Sequence, residues 1–434
     1  MNSHLEGLIK KFKNSKEAKN ASWLIGGKII QMLLSLIVGI LTARFLGPSN
    51  YGVVNYGAAY VAFFTSVCSL GINSIIVKNF FDHPEEEGET IGTAILLKFI
   101  SSSLSCFLIF LIVSIVDAGE KETILVVVLC SLSLVFHILD TLNYWFQSRY
   151  QSKRCAIATL VAYVVTSIYK IVLLATQKSV AWFAFANSVD YIIYAIVIVF
   201  FFKRANGPKF SASLRKAKQL LSTSYHFVLS GVMIALYGYI NRIMLKQMVG
   251  SAEVGYFSVA TSVCMMWTFV LQAIIDSFYP SIMQFNKTDK RAFDKKNRQL
   301  YAIVFYTSIA VSVAFTIFGD IAIKILYGDA YIPAITPLKI VTWYTAFSYL
   351  GQARDAWVVC NNAQRNLKYM YLGAVVVNVI LNFVLIPRLG ASGAALASFI
   401  TQVCTSLVLP CMFKEMRGNV RLMLQAITLR DVYK

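Results

Sequence analysis

Four basic side chains stand inside apolar runs, where a charge is costly. Lys28 falls within residues 22–43, Lys170 within 155–176, Arg242 within 220–247 and Arg354 within 334–361. A cation at the middle of a hydrophobic helix costs about 2.5–3.5 kcal/mol on insertion scales, so such residues usually face an interior. There each presents charged donors to an anionic ligand. Snorkelling to the interface or an internal ion pair is the competing account of each one. Polar neighbours extend the pattern: Gln31, Ser35 and Thr42 follow Lys28 at helical spacing, and Tyr163 and Ser167 share a side with Lys170. Asn241 precedes Arg242 and closes a separate stripe with His226, Ser230 and Tyr237. Lys98 stands near one end of its run and is expected to snorkel.

The intramembrane acids form a second set. His137 and Asp140 sit three apart, with Tyr144 and Gln147 continuing that face, and Asp190 lies in a later run. Asp276 follows Gln272 by four residues, and Asp355 adjoins Arg354. A carboxyl in a low-dielectric cavity can take up and release a proton, so His137, Asp140, Asp276 and Asp355 are candidates for coupling to an ion. Hydrogen-bonded pairing, or salt bridges to Lys170 or Arg354, is the alternative. Asn55, Ser66, Ser69 and Asn73, and likewise Asn378 and Asn382, read first as helix-packing contacts. The eight cysteines form no CxxC pair and read as small buried apolar residues. No metal-ligand cluster, phosphate loop, DxD motif or Ser–His–Asp spacing is visible, so neither an enzyme nor a cofactor or metal is expected.

The elements that must position these groups are helices. Of the 434 residues, 57% are hydrophobic and 14% charged, against about 25% charged in ordinary soluble chains. Apolar runs of helix-spanning length recur throughout, which indicates an all-α integral membrane protein. Twelve spans are expected: 22–43, 52–77, 91–116, 123–148, 155–176, 179–202, 220–247, 253–284, 299–318, 334–361, 366–386 and 391–413. Most of the 40 basic residues fall in the tails and in the loops after even spans, which places both termini in the cytoplasm. The net charge of +19 reflects that bias rather than nucleic-acid binding. The first residues, with Leu5, Leu8, Ile9 and Phe12 on one face among lysines, suit an interfacial helix on membrane lipid. The acidic run DHPEEEGE at 82–89 is the one loop out of line.

A glycine-punctuated corner occurs twice. ARFLGPSNYGVVNYGAAY at 43–60 aligns with the segment around 246–263, so that Gly47 meets Gly250 and Gly52 meets Gly255. At a slightly larger offset Asp140 meets Asp355 and Lys153 meets Lys368. The chain therefore reads as two six-helix bundles, 1–207 with a cytoplasmic amphipathic start and 208–434. Six is even, so a parallel pseudo-twofold repeat relates them, as in transporters that hold substrate between rocking halves.

The segments ARFLGPSNYGVVNYGAAY, INRIMLKQMVGSAEVGYFSVA and LIPRLGASGAALASFITQ resemble those of the polysaccharide flippases of the multidrug/oligosaccharidyl-lipid/polysaccharide exporter superfamily. That resemblance covers essentially the whole chain. It implies a bacterial inner-membrane protein that moves undecaprenyl-diphosphate-linked oligosaccharide repeat units outward for O-antigen, capsule or a similar polymer. A polymerase and glycosyltransferases of the same pathway are the implied partners. For such a cargo Lys28, Arg242 and Arg354, then Lys170 and Asn241, are the expected contacts. A cation-coupled multidrug antiporter of the same superfamily and a teichuronic acid-type exporter are the alternatives. The lysine of span 1, with no acid beside it, favours an anionic cargo.

Overall fold

The computed structural model describes the backbone of residues 16–430 and the side chains from Ile30 onward, apart from Ser74, His226, Phe227, Leu229, Ser230 and Lys287. The Lys28 side chain, the amphipathic start and the His226 and Ser230 part of one polar stripe lie outside the described residues. Every regular element among the described residues is helical. The first eight helices are α1 (Lys16–Cys68), α2 (Asn73–Asp82), α3 (Glu87–Val116), α4 (Lys121–Ser131), α5 (Ser133–Phe136), α6 (Thr141–Ser148), α7 (Ser152–Ala175) and α8 (Val180–Arg204). They are followed by α9 (Leu214–Met248), α10 (Ser251–Met265), α11 (Thr268–Thr288), α12 (Lys290–Tyr327), α13 (Ile335–Cys360), α14 (Gln364–Val403), α15 (Leu409–Cys411) and α16 (Arg417–Ile427).

Among the described residues seven stretches are long and apolar enough to cross a membrane, or eight if the pair Ser251–Met265 and Thr268–Asn286, bent by 45°, is one span. Two of the seven each run through two expected spans, one within α1 and one from α14 through α15. The apolar sequences of α9 and α13 are interrupted by Arg242 and Lys246 and by Arg354 and Asp355, and these helices fall outside that count. Chain composition and helix lengths together make this a multi-pass membrane protein.

Glycine explains the long helices. At Gly47 (φ 68°, ψ 172°) α1 breaks into two arms; that backbone region is strained for residues with a Cβ. Pro48 follows at the start of the second arm, where a missing N–H costs nothing. Gly52 and Gly255 act differently, through close approach. A Cβ on Gly52 would fall on the Ser251 carbonyl, and one on Gly255 would fall on the Pro48 carbonyl. The two contacts exchange under the alignment of the repeated corners, and the Ser49 and Ser251 hydroxyls hydrogen-bond at 2.9 Å beside them.

Two expected spans are interrupted. In place of one helix over 52–77, α1 stops at Cys68 and α2 starts at Asn73, with Leu70 (φ 50°) and Gly71 (φ 62°) between them. In place of one helix over 123–148 there are α4, α5, a 3₁₀ turn His137–Asp140 and α6. Hydroxyls at these breaks take nearby carbonyls for themselves: Ser69 that of Ser66 (2.9 Å), Ser131 that of Val128 (2.8 Å), Ser133 that of Cys130 (2.6 Å) and Thr141 that of Ile138 (2.8 Å). Such local bonds offer the backbone an alternative to the helical ladder.

The chain forms two compact units. One comprises the described residues up to Phe45 with Gly57–Ala235, and the other Leu46–Tyr56 with Leu236 onward. The expected division is at 207/208; by packing, residues 208–235 stand with the first unit. The reason is the acidic corner. Glu86 pairs with Arg215 (2.9 Å) and with buried Lys216, Glu89 pairs with Arg215 (3.4 Å), and Glu87 takes Arg149 (2.8 Å) and the Trp145 indole (3.0 Å). The run that is out of line with the charge bias is thus the counter-charge of the basic segment after α8. Around it Ile76, Ile91, Trp145, Phe146, Ile198 and Leu220 form the core of the first unit. The core of the second gathers Leu271, Phe293, Leu300, Trp357, Met370 and Met423, with α16 fastened by Asn419 Nδ2 donating to the Tyr301 hydroxyl (2.6 Å).

Candidate functional site

In the first unit the polar interior centres on the broken helices. Lys98 on α3 is only 4% exposed, so it does not snorkel. Its Nζ donates to Asn73 Oδ1 (2.8 Å), at the first residue of α2, and lies 5.8 Å from the Tyr144 ring centre. The charge nearest in influence is Asp140, in the 3₁₀ turn. Asp140 Oδ1 accepts long bonds from the Tyr194 hydroxyl (3.4 Å) and Asn143 Nδ2 (3.5 Å). His137 stands edge-on to Tyr191 at 4.9 Å and also feels Asp140. The structure therefore brings His137 and Asp140 together and adds Lys98 and Asn73 to them. Lys170, on α7, lies within electrostatic reach of Asp190 on α8, whose Oδ1 accepts from Thr166 (3.4 Å).

In the second unit Arg242 is held differently. Its Nε donates to the Ser258 hydroxyl and its Nη2 to the Thr261 hydroxyl, both at 3.2 Å. The guanidinium lies 6.0 Å from the Tyr239 ring and 5.8 Å from the Phe257 ring, and the Tyr51 hydroxyl is its other electrostatic neighbour. Among the described residues no carboxylate pairs with it. Tyr51 in turn meets Tyr331 edge-on at 6.4 Å, and Tyr331 meets Tyr256 at 6.3 Å and Tyr327 at 5.7 Å. A guanidinium flanked by hydroxyls and aromatic rings suits an anionic, partly carbohydrate ligand: it supplies charge-assisted donors, and the rings supply flat apolar faces.

Arg354 is sealed into the second unit at 1% exposure. Its position follows from a backbone fault in the facing helix. Across the π turn Cys404–Val408, the Leu409 N–H donates to the Cys404 carbonyl and is lost to Thr405. The next residue along is Pro410, which has no N–H. The Thr405 carbonyl accepts from Arg354 Nη1 instead (3.1 Å), and Arg354 Nε has no partner. Asn241 likewise has internal partners. Its Nδ2 donates to Ser398 Oγ (2.7 Å) and its Oδ1 accepts from Asn382 Nδ2 (2.6 Å), which also reaches Asn378 Oδ1 (3.1 Å). This network ties α9 to α14 with neutral groups. Asp276, exposed on α11, accepts from Gln272 Nε2 (2.8 Å). Asp355, exposed on α13, is within electrostatic reach of its neighbour Arg354.

Lys98 was read as snorkelling, and the tyrosines around Tyr331 were not singled out. Lys98 belongs to a buried stripe Ala94, Lys98, Ser102 and Ser105, and that helical spacing was the available signal. The tyrosines around Tyr331 come from segments far apart in the chain, and no local pattern marks them.

Comparison with known proteins identifies the family and the fold. The family model described as polysaccharide biosynthesis protein matches residues 18–286. The capsular polysaccharide biosynthesis protein CapF of Staphylococcus aureus is 22% identical over 405 residues, covering 88% of this chain and 96% of that protein. A putative O-antigen transporter of Escherichia coli K12 is 21% identical over 391 residues, covering 87% and 92%. Among solved structures, the lipid II flippase MurJ in an inward closed conformation superimposes with a TM-score of 0.75 at 14% identity, over 94% of this chain and 91% of that one. An inward-facing multidrug resistance MATE family transporter gives 0.70 at 13% identity, over 92% and 96%. The fold is shared with both.

Proposed function

Because the chain belongs to the polysaccharide biosynthesis protein family, we propose that it is a flippase and not an enzyme. Its cargo in this reading is an undecaprenyl-diphosphate-linked oligosaccharide repeat unit of O-antigen or capsule. It carries that cargo from the cytoplasmic to the outer leaflet of a bacterial inner membrane, by alternating access of two six-helix sets with both termini in the cytoplasm. A glycan cannot cross hydrocarbon unaided, since each unpaired polar group costs several kcal/mol. The protein must supply a polar path and a cation for the diphosphate.

The observation that carries this reading is Arg242, an intramembrane guanidinium held by hydroxyls and ring faces, with no carboxylate among the described residues paired to it. Its charge is available to an anion. A cationic drug would be repelled there, which disfavours the antiporter alternative. Arg242 is the diphosphate contact in this scheme, with Lys28 a second. Asp140, His137, Asp276 and Asp355 are the groups that would couple transport to an ion, and the pathway's polymerase and glycosyltransferases stand on either side of the step.

In the source bacterium, Arg242→Ala is expected to lower surface polymer at least about tenfold, since a hydrogen bond to a charged group contributes about 1.5–3 kcal/mol. Lipid-linked repeat units should accumulate on the cytoplasmic side, and Arg242→Lys should restore part of the export. Wild-type polymer levels in a well-expressed Arg242→Ala strain would overturn the assignment.

A further inference from the structure

Two exposed stripes of the second unit meet where the eleventh expected span begins and the twelfth ends. On α14, Arg365, Tyr369, Leu372 and Val376 are exposed at helical spacing, with Lys368 exposed beside them. On the final stretch Val408 and Met412 are exposed four residues apart, Met412 at 72%, and exposed Lys414 and Arg417 follow them. The two stripes lie side by side. A Cβ on Gly373, next to Leu372, would sit 3.3 Å from the Leu409 side chain, next to Val408. The Tyr369 and Phe413 rings stack at 6.5 Å, and Asn366 Nδ2 donates to Glu415 Oε2 at 3.5 Å.

Four cations stand at the end of this paired face: Arg365, Lys368, Lys414 and Arg417. Within 364–369 and 411–417 the one carboxylate is Glu415. Two of the cations are held in place. Lys368 Nζ lies 4.8 Å from the Tyr369 ring centre, and Arg417 Nε donates to the Cys411 carbonyl (2.9 Å). Among the described residues none of the four is paired with a carboxylate. Exposed apolar residues on a membrane span are covered by acyl chains, and aromatic rings such as Tyr369 and Phe413 suit the boundary with water. Basic side chains at that boundary draw anionic lipid.

We propose that this face is a binding site for one anionic phospholipid, its tails along the two apolar stripes and its phosphate among the four cations. The bound lipid ties the start of α14 to the segment after α15. The occupant is a lipid rather than a soluble anion because the cations continue the apolar stripes, which a free phosphate would leave uncovered. With both termini in the cytoplasm, as proposed above, the lipid belongs to the cytoplasmic leaflet. The site itself does not depend on what the protein carries.

The test uses purified full-length protein in detergent and no cargo. It is titrated with phosphatidylglycerol, with phosphatidylcholine carrying the same tails and with glycerol phosphate, and bound molecules are counted by native mass spectrometry. Phosphatidylglycerol should fill its first site at least about fivefold more tightly than phosphatidylcholine, the effect of one basic side chain at an anionic leaflet. Glycerol phosphate should bind far more weakly than either lipid. Lys368→Gln with Lys414→Gln should abolish the preference while leaving phosphatidylcholine binding as in wild type; both side chains are exposed, so the fold should survive. Lys290→Gln with Arg291→Gln, an exposed basic pair at the start of α12, should keep the preference. Equal binding of the two lipids by wild type, or glycerol phosphate bound as tightly as phosphatidylglycerol, would overturn the site. So would a preference that survives Lys368→Gln with Lys414→Gln, or an equal loss in both double variants. None of these results bears on export, so the lipid site and the flippase reading stand or fall separately.

Discussion

In the first unit Lys98 lies within reach of Asp140, and Lys170 of Asp190. In the second, Arg242 meets Ser258, Thr261 and the rings of Tyr239 and Phe257. The likeness of the two glycine corners therefore does not extend to the buried charge of the two units. A cation matched by a carboxylate has its field largely cancelled and suits an internal switch or a structural tie. A cation surrounded by neutral donors and acceptors keeps its field, and an anion entering beside it regains in Coulomb energy what it loses in hydration. Under the proposed function, the neutral-lined cation of the second unit is the one that attracts ligand.

Giving the second unit what the first already has is the most severe way to break this comparison. Thr261→Asp would place a carboxylate where the Thr261 hydroxyl now accepts from Arg242 (3.2 Å). Export should fall at least about tenfold, as in Arg242→Ala, because the charge-assisted contact worth about 1.5–3 kcal/mol is now satisfied internally. Thermal stability measured in detergent should hold or rise. Retained export would mean that a free cation is not required.

Arg354 sharpens the comparison from the other side. Arg354→Met fills similar volume but leaves the Thr405 carbonyl without its donor. The expected cost is about 1–3 kcal/mol, the penalty for a buried acceptor left unpaired. It should appear as a lowered melting temperature, with export per folded molecule close to normal. A stable variant that has lost export would move Arg354 into the same class as Arg242.

The smallest effect is expected at the acidic corner. Glu86→Gln with Glu89→Gln removes the carboxylates that hold Arg215 and Lys216. The Arg215 pairs are screened by solvent, and buried Lys216, left without its counter-charge, is expected to loosen its own segment rather than unfold the protein. Trypsin should cut after Arg215 or Lys216 a few times faster than in wild type. Unchanged cleavage would show that the backbone bonds of Ser211 and Ser213 to Gly88 and Thr93 hold the segment without help.

Much of the architecture could be read from the residues. Apolar runs located the helices, and the aligned glycines foretold both the break at Gly47 and the close corner where Gly52 and Gly255 meet opposing carbonyls. The interruptions after Cys68 and within 123–148 could not be read. They coincide with hydroxyls bonded to nearby carbonyls, a signal that any serine or threonine in a membrane helix can mimic. Lys98 was misplaced for a related reason. Its distance from the end of the apolar run suggested snorkelling, whereas the small side chains of Ala94, Ser102 and Ser105 on its own face direct it inward. Arg354 was visible as an intramembrane cation, but its partner is a carbonyl freed by a π turn and a proline, and side-chain types carry no record of that pairing.

The distinction between matched and unmatched cations is tested most directly by equilibrium binding of undecaprenyl diphosphate to purified protein in nanodiscs. Wild type and Lys98→Met should bind alike, Arg242→Lys somewhat more weakly, and Arg242→Ala and Thr261→Asp at least about tenfold more weakly. Equal affinity in wild type and Arg242→Ala, or a loss confined to Lys98→Met, would contradict the account.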